Sequence, residues 1–316
     1  MKSSLLSVYN DKVDTGVDNE YPTSKKTFRQ PCLQMIIGQR TAGKSYLASK
    51  ILAQAQREKT FNRIYLISPS AVSNKAYFGK YINDEDIFEP TKESISEVIK
   101  SVENDRDEFE DYLKKKELYS RFKKDIKSTR FGFDDDTLIT YDAFGFLDGM
   151  IPEWKYEKEE APKSLVILDD CLGSPAILQS SGLTKIATLN RHVAPLNETF
   201  KGRSACGLAV IILAQTYKMS NGLSRVLREN LSILTLFKNK QQKQLDAIKE
   251  ELANVVDLDK FDRAYEYATR EKFGSLTIDF RPKCETMTFR KNLNELIIFP
   301  DMKCSCPKSA ESSKKE

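Results

Sequence analysis

Residues 38–45 read Gly38-Gln39-Arg40-Thr41-Ala42-Gly43-Lys44-Ser45, a full G-x-x-x-x-G-K-S. An apolar run, LQMII at 33–37, leads straight into Gly38, and YLASKILAQAQREK, rich in helix formers, follows Ser45. Strand, glycine-containing turn and helix in this order make a phosphate cradle. The glycines let the backbone curl so that its N–H groups surround an anion, and the helix N-terminus behind them favours negative charge. In such a loop Lys44 reaches the β- and γ-phosphates and the Ser45 hydroxyl binds Mg²⁺.

Working outward, short β-rich runs recur at 33–37, 63–68, 138–141, 165–169, 208–214, 233–237 and 276–280. Several are continuously apolar, as expected of parallel strands buried on both faces. Helical stretches at 45–57 and 223–229 separate some of them, which predicts a layered α/β sheet. Two strand ends add chemistry to the loop. SLVILDDCLG at 164–173 ends its apolar run in Asp169 and Asp170. Asp169 is placed to hold Mg²⁺ through its water shell, and Asp170 to orient or polarise the attacking water. GLAVIILAQ at 207–215 ends in Gln215, at a strand mouth where ligands bind in open α/β sheets. Gln215 is a candidate to sense the γ-phosphate or position water; capping the strand is its other use.

The bulk numbers narrow the class. The chain has 316 residues, 40% hydrophobic, with 50 Lys+Arg against 46 Asp+Glu for a net charge of +4. That is too balanced for a histone-like polycation and too apolar for a disordered chain. Six cysteines lie scattered in apolar or terminal stretches and predict free thiols of a reducing compartment, not a disulfide framework. Cys304 and Cys306 form a lone C-x-C without the further ligands a zinc site needs. The N-terminus lacks the apolar core of a signal peptide, and the longest apolar run, LAVIILA, is far short of the ~20 residues that span a bilayer. Residues 1–30 read as a polar arm, 31–300 as one domain, and 301–316 as a disordered tail.

One segment, 84–130, stands apart as a helical insertion. Residues 84–111 hold 12 carboxylates and 3 basic residues; residues 114–130 hold 8 basic residues and 2 acids. Ile95, Val98, Ile99, Val102, Phe109, Tyr112, Leu113, Tyr119, Phe122 and Ile126 recur at helical spacing. Two readings are open: a solvated helix pair laid over the sheet, or a subunit or partner contact made by complementary ends.

The ordered set GQRTAGKS, VILDD, the Arg191-His192 pair, IILAQ, and LREN at 227–230 followed by ILTLF resembles the FtsK–HerA superfamily of P-loop motors. Within it the set resembles the genome-packaging ATPases of large double-stranded DNA viruses, the poxvirus type with its virophage and polinton relatives. The likeness covers roughly 30–300 outside the charged insertion, and extends weakly to SLTIDF at 275–280 and TFRKNLNELI at 288–297. It implies a three-layer α/β P-loop NTPase fold of the ASCE, RecA-like type, with a mostly parallel central sheet. It further implies ATP and Mg²⁺ held by Gly38, Gln39, Arg40, Thr41, Ala42, Gly43, Lys44 and Ser45, with Asp169 as the metal acid and Gln215 as the sensor.

By the same resemblance, Arg191 or Arg228 is the arginine that reaches a neighbouring subunit's γ-phosphate, the alternative for each being a structural ion pair. Many superfamily members carry Glu where this chain has Asp170, one methylene shorter, which bears on its role as water-activating base. His192, the chain's single histidine, is expected to hold the Arg191 loop by hydrogen bonding. The loop at 190–204 offers Arg191, His192, Lys201 and Arg203 to a DNA backbone, or is a plain surface loop. The implied function is an ATP-driven motor moving double-stranded DNA, irrespective of sequence, into a viral capsid. Its expected setting is a homo-oligomeric ring, pentamer or hexamer, against portal-vertex proteins at a cytoplasmic assembly site or in the virion. Two alternatives stand beside it: a HerA-like translocase or helicase of repair or plasmid transfer, and an ATP-binding assembly protein that does not hydrolyse.

Overall fold

The computed structural model describes residues 28–128, 133–197, 200, 206–218 and 225–303. The apolar run entering the loop is strand β1 (Leu33–Ile37), and the run leaving it is helix α1 (Lys44–Arg57). Then follow β2 (Arg63–Ile67), α2 (Ala71–Phe78), the two-residue β3 (Ile87–Phe88), and α3 (Ser94–Ser128). After α4 (Asp135–Ala143) come β4 (Ser164–Asp169), α5 (Pro175–Leu178), α6 (Ser181–Leu189) and β5 (Leu208–Ala214). The remainder is α7 (Arg225–Glu229), β6 (Ile233–Phe237), α8 (Gln242–Leu252), α9 (Leu258–Ala268), β7 (Ser275–Asp279), β8 (Phe289–Lys291) and β9 (Glu295–Leu296).

The strands form one sheet in the order β3-β2-β4-β5-β1-β6-β7-β8-β9. Pairing is parallel from β3 through β6 and antiparallel from β6 through β9. The parallel strands are apolar on both faces because helices cover both. Alternation along β1 shows this: Ile36 packs with Leu47, Ala48 and Leu52 of α1, while Leu33, Met35 and Ile37 join the cluster that holds α3, α6, α8 and α9. The fold is thus a three-layer α/β sandwich around a mostly parallel sheet. One buried polar thread crosses it: Gln34 Nε2 donates to Thr235 Oγ1 at 3.3 Å, and Thr235 meets Thr277 at 3.1 Å.

The sequence expectation of a strand at 138–141 is corrected. Those residues lie in α4, despite their β-branched content. Asp134 caps the helix by accepting from the Thr137 N–H at 2.9 Å, and Asp135 and Asp136 sit in the first turn, where the helix dipole favours acids. Tyr141 alone anchors the segment, against Phe122 at 5.0 Å between ring centroids, while Ile139 stays 66% exposed. Local capping therefore outweighs strand propensity, which has no neighbouring strand to satisfy.

The charged segment also differs in part. Its first residues supply a short turn and the edge strand β3, and Ser94–Ser128 form one 35-residue helix, about 50 Å long at 1.5 Å per residue. The acidic half of α3 lies on the sheet and is engaged within the chain. Asp105 meets Lys155 at 2.6 Å and Arg63 at 3.8 Å; Glu103 pairs with Lys185 at 3.1 Å; Glu110 accepts the Asn197 N–H at 2.7 Å. Beyond it, Phe122, Tyr141 and Phe146 form a separate aromatic cluster between α3 and α4.

Candidate nucleotide site

The loop after β1 has the backbone its composition anticipates. Thr41 and Gly43 take positive φ, 65° and 105°. A side chain at Gly38 would collide, since an added Cβ would lie 2.9 Å from Ala42 Cβ and 3.0 Å from Phe237 Cδ2. The loop is tied down at its entrance by the Gly38 N–H donating to Ala214 O of β5 at 3.1 Å. Lys44, 7% exposed, folds back along the loop and donates to Gly38 O at 3.0 Å and Gln39 O at 3.4 Å. Burial lowers the Lys44 ammonium below its ordinary range, and the charges of Asp170 and Asp169 work against that shift. Both aspartates are therefore electrostatic neighbours of Lys44, although they follow it from a distant part of the sequence. Ser45 sits in the first turn of α1, half-buried beside it.

The convergence follows from strand order. β5 separates β1 from β4, so the ends of three parallel strands stand side by side. Asp169, 3% exposed, is the last residue of β4 and registers with Leu213 of β5. Asp170 turns out of the strand with φ 50°, exposed, and the Gln215 amide donates to its Oδ1 at 3.4 Å. Lys44, Ser45, Asp169, Asp170 and Gln215 thus share one rim of the sheet.

Its chemistry suits a phosphate ester with a hard cation. Ser45 and Asp169 carry oxygen atoms of the kind a hard divalent cation prefers, and among the described residues no group of three His, Cys, Asp or Glu is placed to hold a metal by itself.

The two arginines differ. Arg228 is bound within the chain, its Nε and Nη2 donating to Glu251 at 3.0 and 3.1 Å and its guanidinium 5.5 Å from the Tyr217 ring centroid. Arg191 is exposed and makes no ion pair with a described residue. His192 beside it is exposed as well. Lys201, Arg203, Cys304 and Cys306 lie outside the described residues, as does most of each terminal segment. Cys32, Cys171, Cys206 and Cys284 are buried free thiols, and burial pushes Cys171 up to about 12, so it is a poor nucleophile.

Sequence reasoning missed one component. On the side of the loop away from Asp169 lies a cleft of about 330 Å³, lined in part by Arg40, Phe237, Lys238, Arg270, Lys272 and Phe273. The only sequence signal was an aromatic-glycine pair, Phe273-Gly274, between α9 and β7, which by itself marks an ordinary turn. No helix among the described residues is long and apolar enough to cross a membrane.

No family model matches the chain. Nor does any curated protein match it. Solved structures similar to it include the genome packaging NTPase B204 from Sulfolobus turreted icosahedral virus 2 in complex with ATP-gammaS. That pair is 15% identical over 83% of this chain and 97% of the other, with a TM-score of 0.41. EssC (ATPases 2 and 3) from Geobacillus thermodenitrificans is 13% identical over 85% of this chain and 40% of its own, at 0.42. The pCW3 conjugation coupling protein TcpA is 11% identical over 87% and 63%, at 0.43. These likenesses assign no residue a role.

Proposed function

We propose that the chain is an ATPase that drives double-stranded DNA into a viral capsid as a homo-oligomeric ring. The observation that carries the ATPase reading is the shared rim of Lys44, Ser45, Asp169, Asp170 and Gln215, assembled from three parallel strand ends beside a loop that cradles phosphate. The ordered motifs of the sequence support the packaging reading. ATP and Mg²⁺ are the ligands, bound through residues 38–45 with Asp169.

The roles follow from position. The backbone N–H groups of the loop hold phosphate oxygens, and Lys44 leaves its carbonyl partners to neutralise the β- and γ-oxygens. Ser45 and Asp169 would hold Mg²⁺, which would supply positive charge against the charge developing on the phosphate oxygens. Asp170, kept in place by Gln215, orients the attacking water and accepts its proton. Gln215 senses the γ-phosphate, since that phosphate competes with Asp170 for its amide. Arg191 is the better candidate for the arginine acting on a neighbouring subunit, because Arg228 is engaged by Glu251. Such a residue is worth ~10³–10⁵ in rate.

The test is ATP turnover by the full chain with and without duplex DNA, beside Lys44→Ala and Asp170→Asn. The expected outcome is DNA-stimulated turnover in the wild type and at least a hundredfold loss in both variants. Equal turnover by wild type and Lys44→Ala removes the catalytic assignment. Nucleotide binding without turnover in any ring-forming condition favours the assembly protein instead.

A further inference from the structure

The two sides of the phosphate loop are chemically opposite. β1 lies between β5 and β6. Toward β5 stand Gln215, Asp170 and Asp169, the acidic side. Toward β6, that strand ends in Phe237, and the turn that joins α9 to β7 lines the same cleft. Around that turn the cleft carries Arg40, Lys238, Arg270 and Lys272, none in an ion pair with a described residue. The cleft's carboxylate, Glu271, is taken by Lys291 at 3.0 Å.

Phe273 is the unusual residue here. It is 57% exposed and holds φ 66°, a left-handed conformation that bulky side chains rarely adopt. The turn leaves it little choice. A Cβ on Gly274 would lie 2.3 Å from Ala268 O, so the chain is pinned tightly at the next residue, and the Gly274 N–H donates to Glu271 O at 3.0 Å. The strain is spent on presenting a ring. A Cβ built on Gly43 would lie 3.6 Å from Phe273 Cδ1 and 3.5 Å from Phe237 Cε1, so both rings flank the loop, Phe237 buried and Phe273 open to solvent. The Lys272 ammonium stands 5.0 Å from the Phe273 ring centroid. An exposed, strained aromatic in a cationic cleft beside a phosphate loop has no packing role to explain it.

Resting on the nucleotide reading above, we infer that Phe273 is a stacking platform for the nucleobase, with the cations of the cleft framing the ribose and α-phosphate. A linear triphosphate laid along the loop has its terminal phosphate at the acidic, metal-binding side and its uncharged base at the aromatic side. A ring face reads no donor or acceptor edge, so the platform serves adenine and guanine alike.

The experiment separates base from phosphate. Binding of ATP, GTP and inorganic tripolyphosphate, each with Mg²⁺, is measured calorimetrically on the full chain as wild type, Phe273→Gly and Phe273→Trp. Glycine suits the positive φ and little burial is lost, so Phe273→Gly folds and melts no lower than wild type. Expected are a loss of about tenfold in ATP and GTP affinity in Phe273→Gly, the scale of one stacked base, tripolyphosphate affinity within twofold of wild type, and restoration of both nucleotides by Phe273→Trp. Equal losses for nucleotides and tripolyphosphate, or none, overturn the platform while the nucleotide site stands. Failure of the wild type to bind either tripolyphosphate or ATP removes the site itself, and the platform with it.

Discussion

At the scale of single residues, the loop at 38–45 combines positions that are costly to the fold. Gly38→Ala places a methyl 2.9 Å from Ala42 Cβ, and the loop cannot give without displacing Phe237. A destabilisation of about 1–3 kcal/mol is expected from overpacking, read as a lower denaturant midpoint, with nucleotide binding lost alongside. Lys44 gives a prediction of opposite sign. Because burial lowers its folded value beneath the ordinary 10.5, the unfolded chain binds this proton more tightly, and stability rises with pH between the lowered value and 10.5. Lys44→Met lacks that dependence. It should melt above wild type at pH 7 without nucleotide, and the gap should narrow as pH is raised toward 10.5. A variant that melts below wild type at pH 7 would mean that the bonds to Gly38 O and Gln39 O outweigh desolvation.

At the scale of elements, α3 connects the sheet to the Arg191 loop. Glu110, 3% exposed, accepts from the Asn197 backbone, and Arg106 Nη1 donates to Pro195 O at 3.1 Å. Glu110→Ala leaves the Asn197 N–H without its acceptor, so a loss of about 1–3 kcal/mol is expected, with faster amide exchange at 193–197 and unchanged exchange in β1 and β5. Unchanged exchange at Asn197 would rule out this latch. Farther along, Arg63 bridges Asp86 at 2.7 Å and Asp105 at 3.8 Å, carboxylates only 1% and 2% exposed. Arg63→Leu strands buried charge, and chemical denaturation should show about 3–5 kcal/mol lost. A variant within 1 kcal/mol of wild type would show that Asp86 and Asp105 do not depend on the Arg63 charge. None of these pairs was readable in sequence, where the acids of 84–111 looked like one charge block. Their partners come from β2, from the approach to β4 and from the loop after α6, and only packing selects them.

At the scale of the molecule, nucleotide binding should appear as global stability. ATP analogue with Mg²⁺ at a hundred times its dissociation constant should raise the unfolding free energy by about 2.7 kcal/mol. Chelating Mg²⁺ should remove most of that gain in wild type but change little in Asp169→Asn, whose metal contact is already gone. If Asp169→Asn responds to chelation as wild type does, Asp169 is not a metal acid. Much was determined by sequence alone: the loop at 38–45, the buried strands around it and the placement of Asp169, Asp170 and Gln215 at or just past strand ends. Those are local patterns, fixed by apolar runs ending in polar residues and by glycine where φ must be positive. Tertiary structure decided the rest. It alone made 138–141 helical, bound Arg228 to Glu251 while leaving Arg191 exposed, tied the acidic half of α3 into the chain, and set Phe273 beside Gly43. Each of those depends on which distant surfaces meet. Burial and charge pairing choose among conformations that local propensity leaves nearly equal in energy.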